Sequence, residues 1–342
     1  MIPQYSTALV LRLLVGTYTF AGDSKGIYLC ALNTETLEWQ VLDTAWAENP
    51  SYVAVQGDCA YAISESGNHS QVHSLKIEGD TLRLTSTRAD QGDDPCHLKV
   101  MGDKIYIANY TSGSVVVKHI NADGTVGDNV QEFRFDDRST SPRQEASHMH
   151  NVAIAPSGKW LTASNLGGDR IYLFKRHDDG TLTLRDTARV KAGSGPRHMD
   201  WAGDERHLYL INELSNDVMV FGFDGTTLTL EQTIVASTAQ GHAGDLHLHP
   251  SGRWLYGSAR NEGDGLILFT VAEDGRVERS AFYATQKHPR NFFITPCGTL
   301  LLCACMNSNC IEIFRISPED GTLTHTGRSI ALPKPVCIVA VG

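Results

Sequence analysis

The residues of this chain best suited to chemistry are His150, Arg197, Glu213, Arg260 and Arg290, with His198 beside them. They draw attention because the chain is internally repetitive and they occupy positions where other copies of the repeat carry different residues. One such position follows a lead-in proline or its equivalent and reads Ser51, Cys96, His150, Arg197, Gly244, Arg290 and Val336 in successive copies. A second, at the end of the next apolar run, reads Tyr18, Glu65, Tyr110, Leu166, Glu213, Arg260 and Met306. Positions that only hold a scaffold together stay alike from copy to copy, whereas these diverge into charged and polar types. Several guanidinium groups can grip a carboxylate or phosphate in bidentate fashion. They can also stabilise the oxyanion of an acyl transfer. Glu213 or a neutral imidazole can take a proton from water or from a substrate carbon. The plainer alternative is a solvated Arg/Glu network that merely hydrates a channel; convergence of all these residues on one face speaks for a site. His148 flanks His150, and His247 falls on a channel-facing strand, so both join the candidates. His69, His73, His119, His177, His207 and His325 have the setting of surface or strand residues.

The elements that would position these side chains are short strands. Seven turns of an acidic–Gly–Thr–Leu type punctuate the chain: Glu35-Thr36-Leu37, Asp80-Thr81-Leu82, Asp123-Gly124-Thr125-Val126, Asp179-Gly180-Thr181-Leu182, Asp224-Gly225-Thr226-Thr227-Leu228, Asp274-Gly275-Arg276-Val277 and Asp320-Gly321-Thr322-Leu323. Asp-Gly supplies positive φ angles for a tight hairpin. Alternating apolar runs such as Ile171-Tyr172-Leu173-Phe174 precede them. A strand–turn–strand unit recurring roughly every 45–50 residues matches the blade of a propeller. The lead-ins Asn49-Pro50, Asp94-Pro95, Gly195-Pro196, His288-Pro289 and Lys334-Pro335 add a second register mark. The expected fold is all-β: a seven-bladed β-propeller with four-stranded antiparallel blades, forming one domain over residues 1–342. The last lead-in is followed by one strand only, and the chain begins with an apparent second strand, Leu13 to Tyr18, after a short tail over residues 1–11. Pairing the C-terminal strand with the N-terminal ones would close the ring and remove open sheet edges. The one long inter-blade loop, residues 133–147, is polar and leads into His148 and His150, which suits a rim or lid role.

Composition narrows the partners. A formal net charge of −10 over 342 residues disfavours a general nucleic-acid or anionic-membrane binder, while leaving room for a local cationic cleft. The eight cysteines form no Cys-x-x-Cys and sit mostly in apolar runs, as reduced thiols of a cytoplasmic protein would. No apolar stretch is long enough to span a membrane as a helix. Gly-x-Ser-x-Gly, a phosphate-binding Gly-rich loop and His-Glu-x-x-His are all missing, which disfavours nucleophilic-serine and P-loop chemistry. Glu65, Glu213, Asn109 and Asn212 are too scattered to suggest a calcium site, so no metal or other cofactor is expected.

Five segments carry a family resemblance: Ser147-His148-Met149-His150, Leu166-Gly167-Gly168-Asp169-Arg170-Ile171, Gly195-Pro196-Arg197-His198, Asn212-Glu213-Leu214 and Gly244-Asp245-Leu246-His247. Together with Leu255-Tyr256-Gly257-Ser258-Ala259-Arg260 and His288-Pro289-Arg290, they resemble the signature segments of the seven-bladed lactonase family. That family groups propeller 6-phosphogluconolactonases with 3-carboxy-cis,cis-muconate cyclases. The resemblance runs from about Leu14 to Val341. It implies that His150, Arg197, Glu213 and Arg260 are catalytic and that His198 and Arg290 lie at the same mouth; with His148 and His247, candidates from their own positions, these make the expected substrate contacts. The implied activity is metal-independent hydrolysis of a sugar-acid lactone, 6-phosphogluconolactone foremost. Glu213 would activate water, His150 would assist proton transfer, and Arg197 and Arg260 would hold the ester oxygen and the anionic group. The alternatives are a cycloisomerase that closes a carboxy-muconate into its lactone and a non-enzymatic binding platform. A small anionic lactone or sugar acid is the expected partner of a monomer or weak homo-oligomer, without nucleic acid or membrane. Asn165, Ala259 and Cys305-Met306-Asn307-Ser308 depart from the family pattern, which bears on substrate identity.

Overall fold

Strands that are apolar on both faces need neighbours on both sides, and a ring of sheets provides them. The structure, a computed structural model, describes residues 10–20, 22–238 and 241–342. It contains seven four-stranded sheets, all with antiparallel neighbours, arranged as a seven-bladed propeller. The only helical pieces among the described residues are the 3-10 turns Gly67–His69, Pro142–Gln144 and Met306–Ser308, and no helix is long and apolar enough to cross a membrane. The innermost strands are Pro50–Gln56, Pro95–Met101, Met149–Ile154, Pro196–Trp201, His242–Leu248, Pro289–Ile294 and Pro335–Val341. Each blade runs outward from one of these.

Ring closure follows the expected pairing. Pro335–Val341 is the innermost strand of the blade that continues with Val10–Thr17, Ile27–Asn33 and Trp39–Ala45. Its register against the N-terminal strand sets Leu14 opposite Val339 and Arg12 opposite Val341. The expected tail needs one adjustment, because Val10 and Leu11 already belong to the strand Val10–Thr17. The rest of that tail, residues 1–9, lies outside the described residues.

Apolar side chains pack between blades rather than inside them. Leu208, Leu210 and Phe221 of one blade meet Ile171 and Leu173 of the preceding one. Outermost strands such as Leu182–Arg189 are largely exposed, with apolar residues buried at intervals.

The repeated turns join the third and fourth strands, and their chemistry explains their uniformity. In the Asp-Gly copies the glycine adopts positive φ, for instance 77° at Gly180 and 74° at Gly321, and the aspartate does not; in the first turn, which has no glycine, Leu37 takes that role with φ 61°. The aspartate instead accepts hydrogen bonds from the following threonine: Thr181 N and Oγ1 donate to Asp179 Oδ1 at 2.9 and 2.7 Å. The glycine carbonyl then latches the blade to its predecessor. Tyr61, Tyr106, Tyr209 and Tyr256 donate their hydroxyls to the carbonyls of Gly124, Gly180, Gly275 and Gly321, at 3.0, 2.8, 3.1 and 2.6 Å. Close approach reinforces the need for glycine, since a Cβ at Gly321 would lie 2.5 Å from the Trp254 ring. Thr162 stands where the latch tyrosine would be in the fourth blade, and Gly225 in the next turn has open space around it.

Two outcomes follow from this architecture. Deleting Pro335–Gly342 exposes the edge of Val10–Thr17, so the chain should lose its folded monomer to aggregation; size-exclusion chromatography showing a folded monomer would contradict the closure. Tyr256→Phe leaves the buried Gly321 carbonyl without its donor and should lower stability by about 1–3 kcal/mol in denaturant titration.

Candidate active site

All seven positions after the lead-in residue are β-bulges. The register between first and second strands slips by a residue at Pro50/Tyr52, Pro95/His97, Met149/Asn151, Pro196/His198, Ala243/Leu246 and Pro289/Asn291, and likewise between Gly16 and Thr17 opposite Val336. A bulge leaves its residue out of the ladder and re-aims the side chain. Six of the seven bulge residues therefore line one recess: Ser51, Cys96, His150, Arg197, Arg290 and Val336. The second set of positions is held opposite by a repeated backbone bond, in which Glu65, Tyr110, Leu166, Glu213 and Met306 donate N–H to the carbonyl just before each bulged strand. For Glu213 the acceptor is Gly195. Glycine is required there, because φ is 67° and a Cβ would lie 2.6 Å from the Leu214 side chain.

Glu213 is the hub of the mouth. Its Oε2 accepts from Arg197 Nε at 2.8 Å and lies 3.1 Å from Arg260 Nη2, and its Oε1 accepts from Arg143 Nη1 at 2.7 Å. His150 Nε2 is 4.0 Å from Oε2. Arg197, Glu213 and Arg260 are 2%, 5% and 4% exposed, so this is a buried ionic cluster rather than a solvated one. Burial opposes ionisation of Glu213, yet Arg260 and Arg197, with His150 and Arg143, hold its carboxyl well below the usual range. Burial, with Arg197 beside it, pushes Arg260 down to about 9. Burial and then Arg197 keep His150 well below the ordinary imidazole value, and the same causes push His198 down to about 4. Both imidazoles are neutral at pH 7.

Across the mouth, Arg290 Nη2 donates to Tyr18 Oη at 2.7 Å and lies 3.8 Å from Glu65, to which Tyr18 also donates at 2.7 Å. Between the two groups the recess has a volume of about 10 Å³, room for about one water molecule. Ser51 Oγ and His150 Nδ1, of residues lining the recess, and Arg260 Nε beside Glu213 are buried without a hydrogen-bond partner. Buried polar atoms are seldom left unpaired, so these groups retain hydrogen-bonding capacity at the mouth.

The structure thus brings His150, Arg197, Glu213, Arg260, Arg290 and His198 together. His148 sits at the rim: its ring stacks on Tyr110 at 4.3 Å, its Nδ1–H meets the Tyr110 carbonyl at 3.1 Å, and its Nε2 is 3.4 Å from Glu145. His247 does not reach the mouth. Three positions beyond the bulge, it lines the cavity at the opposite end of the channel with Lys99, Asn291 and Phe293, away from the recess that His150, Arg197 and Arg290 share.

Sequence reasoning missed Arg143 and Asp245. Arg143 is delivered by the long loop, whose 3-10 turn is capped by Ser141 accepting from Arg143 N and anchored by Gln144 Nε2 donating to the Leu166 carbonyl at 2.7 Å. The Ser-x-x-Gln spacing was the available signal. Asp245 follows Gly244 in the bulge series, and the next position round the ring reads Tyr52, His97, Asn151, His198, Asp245, Asn291 and Cys337, an inner tier just below the mouth. Among the described residues no group of three or more His, Cys, Asp or Glu is arranged to hold a metal ion.

Comparison with known proteins identifies the family. The family model described as lactonase, 7-bladed beta-propeller, matches residues 12–340. A 6-phosphogluconolactonase of Bacillus subtilis is 30% identical over 95% of this chain and 96% of its own. Among solved structures, a Bacteroides fragilis protein named as a candidate 6-phosphogluconolactonase superposes with a TM-score of 0.93 at 36% identity, covering 100% of both chains. The periplasmic gluconolactonase of Pseudomonas aeruginosa gives 0.92 at 28% identity, over 98% of this chain and 99% of its own. With its bulge-built mouth, its ring of blades and a match running almost from end to end, the chain belongs to the seven-bladed β-propeller lactonase family.

Proposed function

We propose that this protein hydrolyses the lactone of an anionic sugar acid, 6-phosphogluconolactone foremost. The observation that carries the reading is a charge excess. Among the described residues, the ion pairs of Arg143, Arg197, Arg260 and Arg290 at the mouth are made with Glu213 and Glu65, four cations to two carboxylates, in a chain whose net charge is −10. A phosphate or carboxylate would balance that excess, and the names of the relatives point to the same substrate class. The water-sized recess beneath the arginines favours hydrolysis over cycloisomerisation, which consumes no water.

The roles follow from the contacts. Arg290 and the half-exposed Arg143 sit where the substrate's anionic group would enter. Arg260, with its free Nε, and Arg197 sit where the carbonyl oxygen would gain charge, and a donor so placed is worth roughly 3–4 kcal/mol in the transition state. The water oxygen attacks the carbonyl carbon while its proton passes to a neutral imidazole. The ring C–O bond then breaks, and the proton returns to the leaving ring oxygen. Glu213 is read as counter-ion rather than base, because guanidiniums already engage both of its oxygens, whereas the imidazoles present open nitrogens at the mouth. His150 keeps its unpartnered Nδ1 for substrate or water.

Three measurements test this. With one preparation offered 6-phosphogluconolactone, plain gluconolactone and a carboxy-muconate, with and without chelator, the phosphorylated lactone should be favoured at least about tenfold in kcat/KM and chelator should have no effect; turnover of the muconate alone would sink the proposal. Glu213→Gln removes the shared counter-charge and should cost about 3–5 kcal/mol of stability along with activity; a variant as stable as the parent would contradict the counter-ion role. Because His198 lies near 4 and His150 is also depressed, kcat/KM should stay level from pH 8 to about 5 and decline only below that. An acid limb centred near the ordinary imidazole value of about 6.5 would show the wrong group had been chosen.

A further inference from the structure

We infer that Asp245 is a positioning residue for proton transfer at the mouth: it holds His198 in the tautomer whose bare Nε2 accepts the proton of the attacking water, and His247 braces it from the far end of the channel. This deepens the lactonase reading and rests on it for the reaction, though not for the geometry.

Asp245 is 0% exposed and occupies the inner tier directly beneath the bulge residues. Its Oδ1 accepts from His198 Nδ1 at 2.6 Å and from Leu246 N at 2.9 Å. Its Oδ2 accepts from Asn291 Nδ2 at 2.6 Å, His247 Nε2 at 2.9 Å and Phe292 N at 3.1 Å. Donors surround it on every side, so the carboxylate is ionised and can only accept. Burial opposes that charge, but His247 and His198 hold the carboxyl well below its usual range.

The tautomer of His198 follows by elimination. Its Nδ1 must carry a proton to bond Asp245, and a neutral imidazole has only one, so Nε2 is an open lone pair. No hydrogen bond to Nε2 is present among the described residues, and the ring lines the water-sized recess with His150, Arg197 and Arg290. His150 lacks this definition: its Nδ1 has no partner, and its Nε2 has only the distant Glu213 oxygen. The groups facing His198 are Arg197, Asp245 and His247, together with the rings of Tyr52, His97 and His150. When His198 takes the water proton, the imidazolium lies against the Asp245 carboxylate, and the same proton later goes to the ring oxygen. The second oxygen of Asp245 is tied to His247, at the edge of a cavity of about 350 Å³ at the opposite end of the channel. Burial works against charge on His247, but the Asp245 carboxylate beside it carries its pKa above the ordinary imidazole value.

The test pairs kinetics with a readout that needs no substrate. In protein carrying ¹⁵N-histidine, the His198 resonances should report an Nδ1–H tautomer in the parent and lose that definition in Asp245→Asn. Folded Asp245→Asn should lose about 100-fold or more in kcat, with KM within about threefold of the parent. His198→Gln should lose a similar amount, and the double variant should be no worse than either single one, as expected for residues acting as a unit. An Nε2–H tautomer in the parent overturns the inference, as does a folded Asp245→Asn with kcat within about threefold of the parent. If Asp245→Asn fails to fold, the parent tautomer and the loss in His198→Gln decide. If no lactone is turned over while the Nδ1–H tautomer stands, the lactonase reading falls and the positioning geometry survives.

Discussion

The pairing of Pro335–Val341 with Val10–Thr17 is the contact on which the rest of the molecule depends. Seven inner strands can face a common axis only if the last blade is completed, and here one strand from the C-terminus meets three from the N-terminus. The latch tyrosines and inter-blade apolar clusters act between neighbours, so each blade is held by the two beside it. Closure makes those local contacts mutually supporting, and it turns the lead-ins of distant blades into one mouth. Arg290 and Tyr18 touch across 272 positions of sequence only because the ring is shut.

Within that ring the bulges divide structure from function. The ladder of each blade needs its paired residues to stay apolar and regular, and they do. The bulged residue contributes nothing to pairing, so its side chain is free to vary. Seven equivalent loose positions around an axis make a ready-made site, and the chain fills them unequally. His150, Arg197 and Arg290 stand on one set, while Glu213 and Arg260 face them from the second strands.

The buried Arg–Glu cluster is a costly way to hold a fold together, since taking these charges from water consumes most of what their attraction returns. Its value lies in preorganisation. Glu213 gathers three guanidiniums that would otherwise repel one another, and it leaves Arg260 Nε unpaired. The donors at the mouth are therefore held in place in advance. One tier deeper, Asp245 does for two imidazoles what Glu213 does for the arginines, so that two buried carboxylates organise the two levels of the channel.

The blade count, the turns, the closure and the residues lining the mouth were legible in the sequence, because each depends on local periodicity or on the register between repeats. Asp-Gly-Thr marks a turn wherever it stands, and a residue that breaks the repeat after a lead-in proline is visible by comparison with its counterparts. What the linear order could not carry were relations set by the closed ring. Arg143 reaches Glu213 because a loop folds over the mouth, which no repeat predicts. His247 was legible as a residue of a channel-facing strand, but its distance along that strand from the bulge carries it past Asp245 and away from the mouth. Glu213 was legible as a carboxylate among arginines, yet the number of guanidiniums that reach it, Arg143, Arg197 and Arg260, was set by the closed ring and the loop. The sequence alone determined which side chains are free to differ from their counterparts; tertiary structure decided which of them touch, and burial then decided which of them hold a proton.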